Sequence, residues 1–483
     1  MNKHLPLLLA AIAAIPCACT LAPKYVRPQA PVPAELPSSP GYLEVQRLTG
    51  APQAQDLAWK DFFADEKLKQ IIATALANNR DLRLATLNVE QARAMYGVQR
   101  NQLLPAVDAV GSGAKKRTPA DLSSTGKALT SDSYSVNVGV VSWEVDLFGK
   151  LQSLKDAYLQ QYLASEQARR GAQVSLVSGV ASAYLTLAAD REKLTLAQGT
   201  FEAQRDTYNL TKRRHELGLV QDLDLYRAEA QMDAARGDLA RYQQAVAQDR
   251  NALNLLLGTP TSDDVLPAGL GAVAPTREIA AGLSSQVLLQ RPDVLQAEAS
   301  LRAANANMGA ARAAFLPDIS LTATLGTASA QLSNLFKGGQ GTWAFSPQAT
   351  MPIFDARTWS AHKVAKVQAE TAVVQYEKAI QGAFREVADT LAVRGSIGEQ
   401  LAAQQAMSDA LGATFRLSTA RYEKGLDSYL SVLDAQRTYY SAQQGLVSLR
   451  LAKYANDIRL YAVLGGGWQT ESSAPDSAGA GQH

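Results

Sequence analysis

The residues best suited to covalent chemistry are two cysteines near the N-terminus, Cys17 and Cys19. A short positive region and an apolar stretch over residues 5–15 precede them, in the order typical of a secretory signal peptide. Cys17 follows Pro16, a poor residue before a cleavage point, whereas Cys19 follows Ala18. We therefore predict a lipoprotein signal peptide over residues 1–18 and lipid modification of the Cys19 thiol. Cleavage of an ordinary secretory signal nearby is the alternative.

Side chains suited to catalysis or metal binding are sparse in the rest of the chain. The four histidines are spread over its whole length, as His4, His215, His362 and His483. Removal of Cys17 with the signal and lipidation of Cys19 would leave no free thiol. The glycine run 465–467 lacks the strand-to-helix context of a phosphate-binding loop. The sequence thus predicts no enzyme, no metal site and no bound cofactor, and it places His215 at the surface.

Composition limits the partners and the ordered length. The net charge is +2 and no basic patch is present, so the sequence provides no electrostatic basis for a nucleic-acid partner. Residues 22–54 carry many prolines, which excludes a helix there, and we predict an extended N-terminal arm over residues 19–60. Residues 468–483 are mainly small and polar, and we expect a disordered tail there.

An internal repeat organises the chain between the arm and the tail. Asp81, Arg100 and Leu104-Pro105 recur at the same spacing as Asp293, Arg312 and Leu316-Pro317. The segment 214–219, RHELGL, recurs as 421–426, RYEKGL. A repeat of this length indicates two structurally equivalent units. Each unit is predicted to contain a helix, a strand pair, a very long helix, a turn and a helix.

The strand pairs show apolar and polar residues in alternation. Residues 319–326 alternate strictly, and residues 343–353 alternate with interruptions at Pro347 and Pro352. In the first half the apolar face switches after Val141, which predicts a bulge near Val141-Ser142. A weaker strand is predicted over residues 106–113.

The environment of these strands has two interpretations. Tyr134, Trp143 and Trp343 lie toward strand ends, as in the aromatic girdle of a membrane barrel. A small soluble antiparallel sheet with one wet face is the alternative. The strands alone do not decide between the two.

The helices favour the membrane interpretation. Residues 149–217 contain no proline, and a helix of that length would reach about 100 Å, longer than a compact domain needs. Its predicted partners are helices over residues 66–103 and 222–257. The last helix carries an apolar stripe with a repeat of 3.5 residues, the coiled-coil pattern. The equivalent stripe in the first half is interrupted by Asp249.

Four strands per chain cannot close a barrel, and open sheet edges are not tolerated in lipid. A membrane barrel therefore requires several chains. Two chains would supply about eight strands, which fill their own interior, whereas three would supply about 12 and leave room for a pore.

Two function classes fit these observations. One is a transport channel, and the other is a lipid-anchored structural coiled-coil envelope protein that does not conduct. The strands favour the channel, because a tether has no use for two hairpins with an apolar outer and a polar inner face.

The chain resembles the TolC-like outer membrane efflux proteins, and in particular their OprM/NodT-type lipoprotein branch. The resemblance rests on the two turns 214–219 and 421–426, the strand exits 143–149 and 352–355, the ending 460–468 and the start 19–28, and it covers almost all of the mature chain. It places the first repeat at residues 61–270, with a β-hairpin at about 105–147. It places the second at residues 271–467, with a β-hairpin at about 317–354.

The fold implied by this resemblance is mainly α with a membrane β part. It is a TolC-like homotrimer in which a 12-stranded outer-membrane β-barrel, four strands per chain, continues into a periplasmic α-helical coiled-coil barrel. The lipid on Cys19 would be an N-palmitoyl and S-diacylglycerol group. The implied function is the exit channel of a tripartite efflux pump. Its partners would be a periplasmic membrane-fusion adaptor, an inner-membrane transporter of the RND or ABC type, and outer membrane lipid.

The resemblance also implies a periplasmic gate. It places Leu430 and Asp434 at the constriction of the tunnel. Some relatives are closed by a latch of tyrosine, arginine and aspartate. The tyrosine stands at the position of Tyr422, the arginine at that of Asp427 and one aspartate at that of Asp224. Since Asp427 stands where those relatives have arginine, and Ser431 where they have a second aspartate, the latch is expected to be built differently here.

Overall fold

The computed structural model describes residues 20–36, 52–280 and 284–469 of the 483-residue chain. Cys19, the predicted signal peptide 1–18, part of the arm and most of the tail lie outside the described residues. The α-helices within these ranges are α1 Trp59–Phe62, α2 Glu66–Asn78, α3 Arg80–Asn101, α4 Lys150–Glu216, α5 Asp222–Leu257, α6 Pro292–Ala313, α7 Ala356–Glu423 and α8 Tyr429–Val463. The β-strands are β1 Val107–Thr118, β2 Leu129–Glu144, β3 Asp318–Ser329 and β4 Gly341–Thr350.

The predicted repeat is confirmed by the order of the elements. The series α3, β1, β2, α4, α5 is followed by the equivalent series α6, β3, β4, α7, α8. Helices α4 and α7 have 67 and 68 residues, which corresponds to about 100 Å each. The predicted helix 222–257 has the same bounds in the structure.

The prediction of a single helix over residues 66–103 is wrong, because the helix breaks at Asn79 into α2 and α3. The backbone of Asn79 is extended, with φ −62° and ψ 132°. Its Oδ1 accepts a hydrogen bond from the Leu82 N–H at 2.9 Å, and its Nδ2 donates one to the Leu256 carbonyl at 2.9 Å. Asparagine favours such a cap because its short side chain replaces a missing helical bond. The long-range bond to α5 then stabilises the break.

The four strands form one antiparallel sheet in the order β1-β2-β3-β4. The predicted bulge is confirmed, since the register of β2 against β3 shifts between Val140 and Trp143. Ser142 in the bulge has φ 56°, and its N–H donates to Thr322 Oγ1 at 3.2 Å. The extra residue returns Trp143 to the face of the sheet that carries Val140.

Two predictions about the strands are corrected. Pro347 does not interrupt β4, because it pairs with Leu321 and the strand continues to Thr350. A proline is tolerated there because β4 is an edge strand within the chain, where its missing N–H removes few ladder bonds. The weak strand predicted at 106–113 is longer, and β1 extends to Thr118 with every residue paired to β2.

The chain divides into two compact units. The strand unit comprises Met1–Gln29, Asn88–Glu166 and Gln296–Glu377, and the helical unit comprises Ala30–Leu87, Gln167–Leu295 and Lys378–His483. In the strand unit the arm contacts the helices closely. Thr20 Oγ1 lies 2.7 Å from Ser153 Oγ, and the buried Glu298 carboxylate accepts hydrogen bonds from Arg27 and Tyr25.

The core of the helical unit surrounds the end of α8. The rings of Phe62 and Tyr461 are stacked with their centroids 4.0 Å apart, and the Tyr461 hydroxyl donates to the Leu57 carbonyl at 2.6 Å. The apolar stripe predicted for α8 begins at Leu430 and includes Leu433, Val447, Ile458 and Tyr461. The last four are buried, but Leu430 is exposed.

The bounds of the arm and the tail differ from those predicted. Residues 54–56 form a 3₁₀ turn, and α1 begins at Trp59, which is buried. Folded structure therefore begins before residue 61. At the other end, the Trp468 ring lies 4.5 Å from the Arg170 guanidinium and its carbonyl accepts from Gln173 Nε2. Trp468 thus belongs to the folded part.

Candidate functional site

One face of the sheet carries apolar side chains in register. Two rows of directly opposed residues cross the four strands, namely Ala109, Val138, Leu325 and Trp343, followed by Val107, Val140, Ala323 and Phe345. Val138, Leu325 and Trp343 are 51%, 71% and 77% exposed. Such a continuous apolar surface is unfavourable in water and favourable against another apolar phase.

The opposite face of the same sheet is polar. It carries Asp108, Ser112, Ser135, Asn137 and Thr324, and the Ser112 and Ser135 hydroxyls lie 2.8 Å apart. An apolar exposed face backed by a polar face is the pattern of a membrane β-barrel wall that surrounds an aqueous interior.

Both outer edges of the sheet are unpaired within the chain. Strand β1 pairs only with β2, and β4 only with β3, in the described residues. Each edge exposes backbone N–H and C=O groups that would cost several kcal/mol apiece in hydrocarbon.

The turns that join the long helices in the two repeats have the same geometry. Gly218 and Gly425 adopt left-handed φ values of 73° and 71°. The Leu219 N–H bonds to the Arg214 carbonyl at 2.8 Å, and the Leu426 N–H bonds to the Arg421 carbonyl at 2.9 Å. This is a Schellman-type helix end in which glycine avoids the strain of positive φ. The repeated turn sequences therefore encode a repeated backbone.

Asp427 is held firmly just after the second turn. Its Oδ1 accepts hydrogen bonds from the Ser428 N–H at 2.8 Å and from Ser431 Oγ at 2.9 Å, while Arg421 Nε lies 3.4 Å from Oδ2. The Ser431 bond, together with the Ser428 bond and the nearby Arg421 charge, lowers the pKa of Asp427. Asp427 therefore stays ionised and anchors the start of α8.

Tyr422 connects the two turns. Arg214 Nη1, beside the first turn, donates to the Tyr422 hydroxyl at 3.3 Å, and the Tyr422 and Tyr429 ring centroids are 5.2 Å apart. Asp224 lies in the first turn of α5, with Arg227 Nη1 3.8 Å from its carboxylate. Among the described residues Tyr422 and Asp224 share no hydrogen bond.

Leu430 and Asp434 lie four positions apart, on one face of α8. Leu430 is 55% exposed. The Asp434 carboxylate pairs with Arg437 Nη2 at 2.9 Å, and both side chains are largely exposed. The structure thus brings the predicted gate residues together at the beginning of α8.

Sequence analysis missed the basic partners of these residues. Arg214 bonds Tyr422, Arg421 faces Asp427, and Arg437 pairs with Asp434. A signal was available, because Arg214 and Arg421 occupy equivalent positions in the two repeats. His215, which we predict to lie at the surface, lies beside Asp222. The His215 Nε2 is 2.6 Å from the Asp222 Oδ1.

These features define the class of the protein. The chain combines a four-stranded sheet, which has one lipid-compatible face and open edges, with helices of about 100 Å. This combination is that of a subunit of an outer-membrane channel. Residues 71–259 and 283–466 match the family described as "Outer membrane efflux protein". The chain belongs to this outer membrane efflux protein family.

Similar proteins support the assignment over nearly the whole length. The chain is 46% identical over 474 residues to "Antibiotic efflux pump outer membrane protein ArpC" of Pseudomonas putida, covering 98% of this chain and 97% of ArpC. It is 40% identical over 456 residues to "Cation efflux system protein CusC" of Escherichia coli O157:H7, covering 93% and 96%. The open-state structure of the Neisseria gonorrhoeae MtrE outer membrane channel matches with a TM-score of 0.84 and 38% identity, covering 94% of this chain and 100% of MtrE.

These matches confirm the resemblance, the TolC-like fold with four strands per chain, and the function as an outer membrane component of an efflux pump. A family of channels also supports the prediction that the chain is not an enzyme, and it excludes the structural tether. In residues 20–36, 52–280 and 284–469, no three His, Cys, Asp or Glu side chains are grouped to hold a metal ion.

Proposed function

We propose that three copies of the chain form a homotrimer whose 12 strands close one outer-membrane barrel. The observation that carries this proposal is a sheet with an exposed apolar face and two edges unpaired within the chain. In lipid those edges require partners, and about 12 strands are enough to enclose a pore. The long helices of the three chains would continue as a periplasmic α-helical barrel.

In this proposal the trimer is the passive exit duct of a tripartite pump. A periplasmic membrane-fusion adaptor and an inner-membrane transporter of the RND or ABC type would deliver substrate to it. The names of ArpC and CusC refer to antibiotics and to cations. Channels of similar sequence thus carry names with different substrates. This supports the proposal that the channel conducts drugs or other small molecules that the transporter has already selected.

The gate in this proposal lies where α8 begins. Three-fold symmetry would bring three Leu430 and three Asp434 side chains around one axis. The contacts of Arg214 with Tyr422 and of Arg421 with Asp427 support a latch in which arginines next to the turns replace the arginine of relatives. Asp224 would form the remaining acidic position of that latch.

The lipid anchor belongs to the same proposal. Thr20, the residue after Cys19, is held against Ser153 in the first turn of α4, soon after the membrane strand β2 ends. An acyl chain on Cys19 would therefore lie close to the end of the membrane strands.

The test combines oligomeric mass with a pair of adjacent variants. The particle extracted in detergent should contain three chains by mass measurement and should conduct in planar bilayers. Trp343→Asp places a charge on the apolar face, and we expect it to weaken membrane assembly, because a charge on the lipid side of a barrel is unfavourable. Thr342→Asp, one residue away on the polar face, should assemble normally. A folded monomer, or equal behaviour of the two variants, would remove the basis of the barrel.

A further inference from the structure

The helical unit contains a cavity of about 400 Å³ between the loop before residue 280 and helices α7 and α8. Its volume lies in the range of small-molecule sites, about 300 to 1,000 Å³. The charged side chains that line it are Arg277, Glu278, Arg394, Arg450, Lys453 and Asp457. Cations thus outnumber acids by four to two in this lining.

The surplus positive charge has few partners within the protein. Arg450 is occupied, because its Nη1 lies 2.8 Å from Glu192 Oε1. Arg394 Nη1 donates to the Ile279 carbonyl at 3.5 Å, and the Arg394 charge also acts on the Asp457 carboxylate. In the described part of the chain the Arg277 guanidinium and the Lys453 ammonium form no hydrogen bond or ion pair with another side chain. Three cationic groups therefore remain able to bind an anion.

Two acids of the cavity, Asp457 and Glu278, offset part of this charge. Burial raises the pKa of Asp457, although the Arg394 and Lys453 charges act in the opposite direction. Asp457 consequently loses its negative charge at a higher pH than a free aspartate would. Glu278 lies on the exposed loop and also raises the pKa of Asp457 through its own charge.

The backbone segments that carry the cationic residues are fixed before any ligand arrives, whereas the Arg277 and Lys453 side chains are exposed. The backbone N–H of Arg277 donates a hydrogen bond to the Phe62 carbonyl at 2.9 Å, which fixes the loop against α1. Asn456 Nδ2 bonds to the Thr390 carbonyl at 3.2 Å and ties α8 to α7. A fixed backbone reduces the conformational freedom that is lost on binding, and guanidinium groups match the oxygens of phosphate in a bidentate geometry.

We propose that this cavity binds a small multivalent oxyanion of the phosphate class through Arg277, Arg394 and Lys453. The site lies within one chain and does not depend on the proposed trimer or on pump assembly. It is therefore a binding function separate from conduction.

Calorimetric titration of inorganic phosphate into the detergent-solubilised full chain tests the proposal. Ionic strength is kept constant with sodium chloride, so that non-specific screening does not contribute. We expect saturable binding of one phosphate per chain. Arg277→Gln with Lys453→Gln should weaken the affinity by about tenfold or more, because charge-assisted bonds to the oxyanion are lost.

The control variant is Lys378→Gln with Arg385→Gln, which removes two charges from α7 at positions that do not line the cavity. It should bind phosphate like the wild type. Circular dichroism without phosphate verifies folding, and the single variant Lys453→Gln serves if the double variant is unstable. Absence of saturable binding by the wild type, or equal affinity of wild type and cavity variant, would overturn the proposal.

Discussion

Acidic side chains of the helical unit lie in different environments, and these determine their roles. Asp427 is partly exposed and accepts several hydrogen bonds, so its charge is stable. Asp249 instead interrupts the apolar stripe of α5, and its Oδ2 is buried without a hydrogen-bond partner in the described residues. Burial raises the pKa of Asp249 to about 6, and the neighbouring Asp190 adds to the effect while Lys193 opposes it. Asp249 is thus a titratable position between α4 and α5.

We expect Asp249→Asn to reduce the pH dependence of stability. The pKa of Asp249 is higher in the folded state than in the unfolded chain, so protonation stabilises the fold. That contribution is complete below about pH 4 and is lost as pH rises through about 6. At pH 8 the variant should be more stable than the wild type by on the order of 1 kcal/mol, allowing for solvent screening. Thermal unfolding at pH 5 and pH 8 measures this.

The matched control is Asp233→Asn, which changes an exposed acid of α5 paired with Arg236. It should keep the wild-type dependence on pH between 5 and 8. An Asp249→Asn protein with the same pH dependence as the wild type would show that Asp249 is not the responsible group.

At the gate we expect Leu430→Ala with Asp434→Ala to raise single-channel conductance and to lower cation preference. The double variant removes bulk and negative charge from the proposed constriction without altering the strands. Because Asp434 is paired with Arg437, Arg437→Ala should change selectivity in the opposite direction and increase cation preference. Planar-bilayer recordings measure both quantities. Unchanged conductance and selectivity in a well-folded double variant would place the constriction elsewhere.

At the scale of elements, the sheet depends on close contact between β2 and β3. A Cβ atom at Gly326 would overlap the Val136 carbonyl and would lie 2.7 Å from the Asn137 Cα. These are backbone atoms of the paired strand and cannot move aside cheaply. The alternation of residues predicts which face Gly326 occupies, whereas the need for glycine follows from the approach of β2.

We expect Gly326→Val to prevent normal pairing of β2 with β3 and to abolish assembly of the folded oligomer. Gly111→Val is the control, because a Cβ at Gly111 in β1 meets nothing within 4 Å. Protease resistance and migration as an oligomer in a semi-native gel report the outcome. Normal assembly of the Gly326 variant would contradict the requirement for close backbone contact.

At the scale of the whole molecule, the two repeats supply equal numbers of strands and long helices to one chain. A single chain leaves two sheet edges open, so the functional unit in lipid is larger than the chain. The lipid on Cys19 would be an additional anchor, since the barrel of the proposed trimer would also hold it in the membrane.

We expect labelled palmitate to enter the wild-type protein and not the Cys19→Ser variant. Cys17→Ser is the control, because Cys17 should leave with the signal peptide. The Cys19→Ser variant should remain partly functional if it is exported, because the strands still anchor the trimer. Persistence of label in the Cys19→Ser protein would disprove the assignment.

The sequence by itself determined the features that depend on local pattern. Alternation located the strands and the bulge, the absence of proline predicted α4, and repeated turn residues predicted two equivalent helix ends. Matches of motif and order were sufficient to indicate the family. These properties can be predicted from the sequence because hydrophobic periodicity, proline and glycine determine local structure through neighbouring residues.

Only the tertiary structure decided the features that depend on residues distant in the chain. The break at Asn79 is stabilised by the Leu256 carbonyl, and Pro347 is tolerated because β4 lies at an edge. Arg214 meets Tyr422, although 208 positions separate them. Burial, not residue type, raises the pKa of Asp249. Each of these depends on which side chains folding brings together, and a linear pattern does not contain that information.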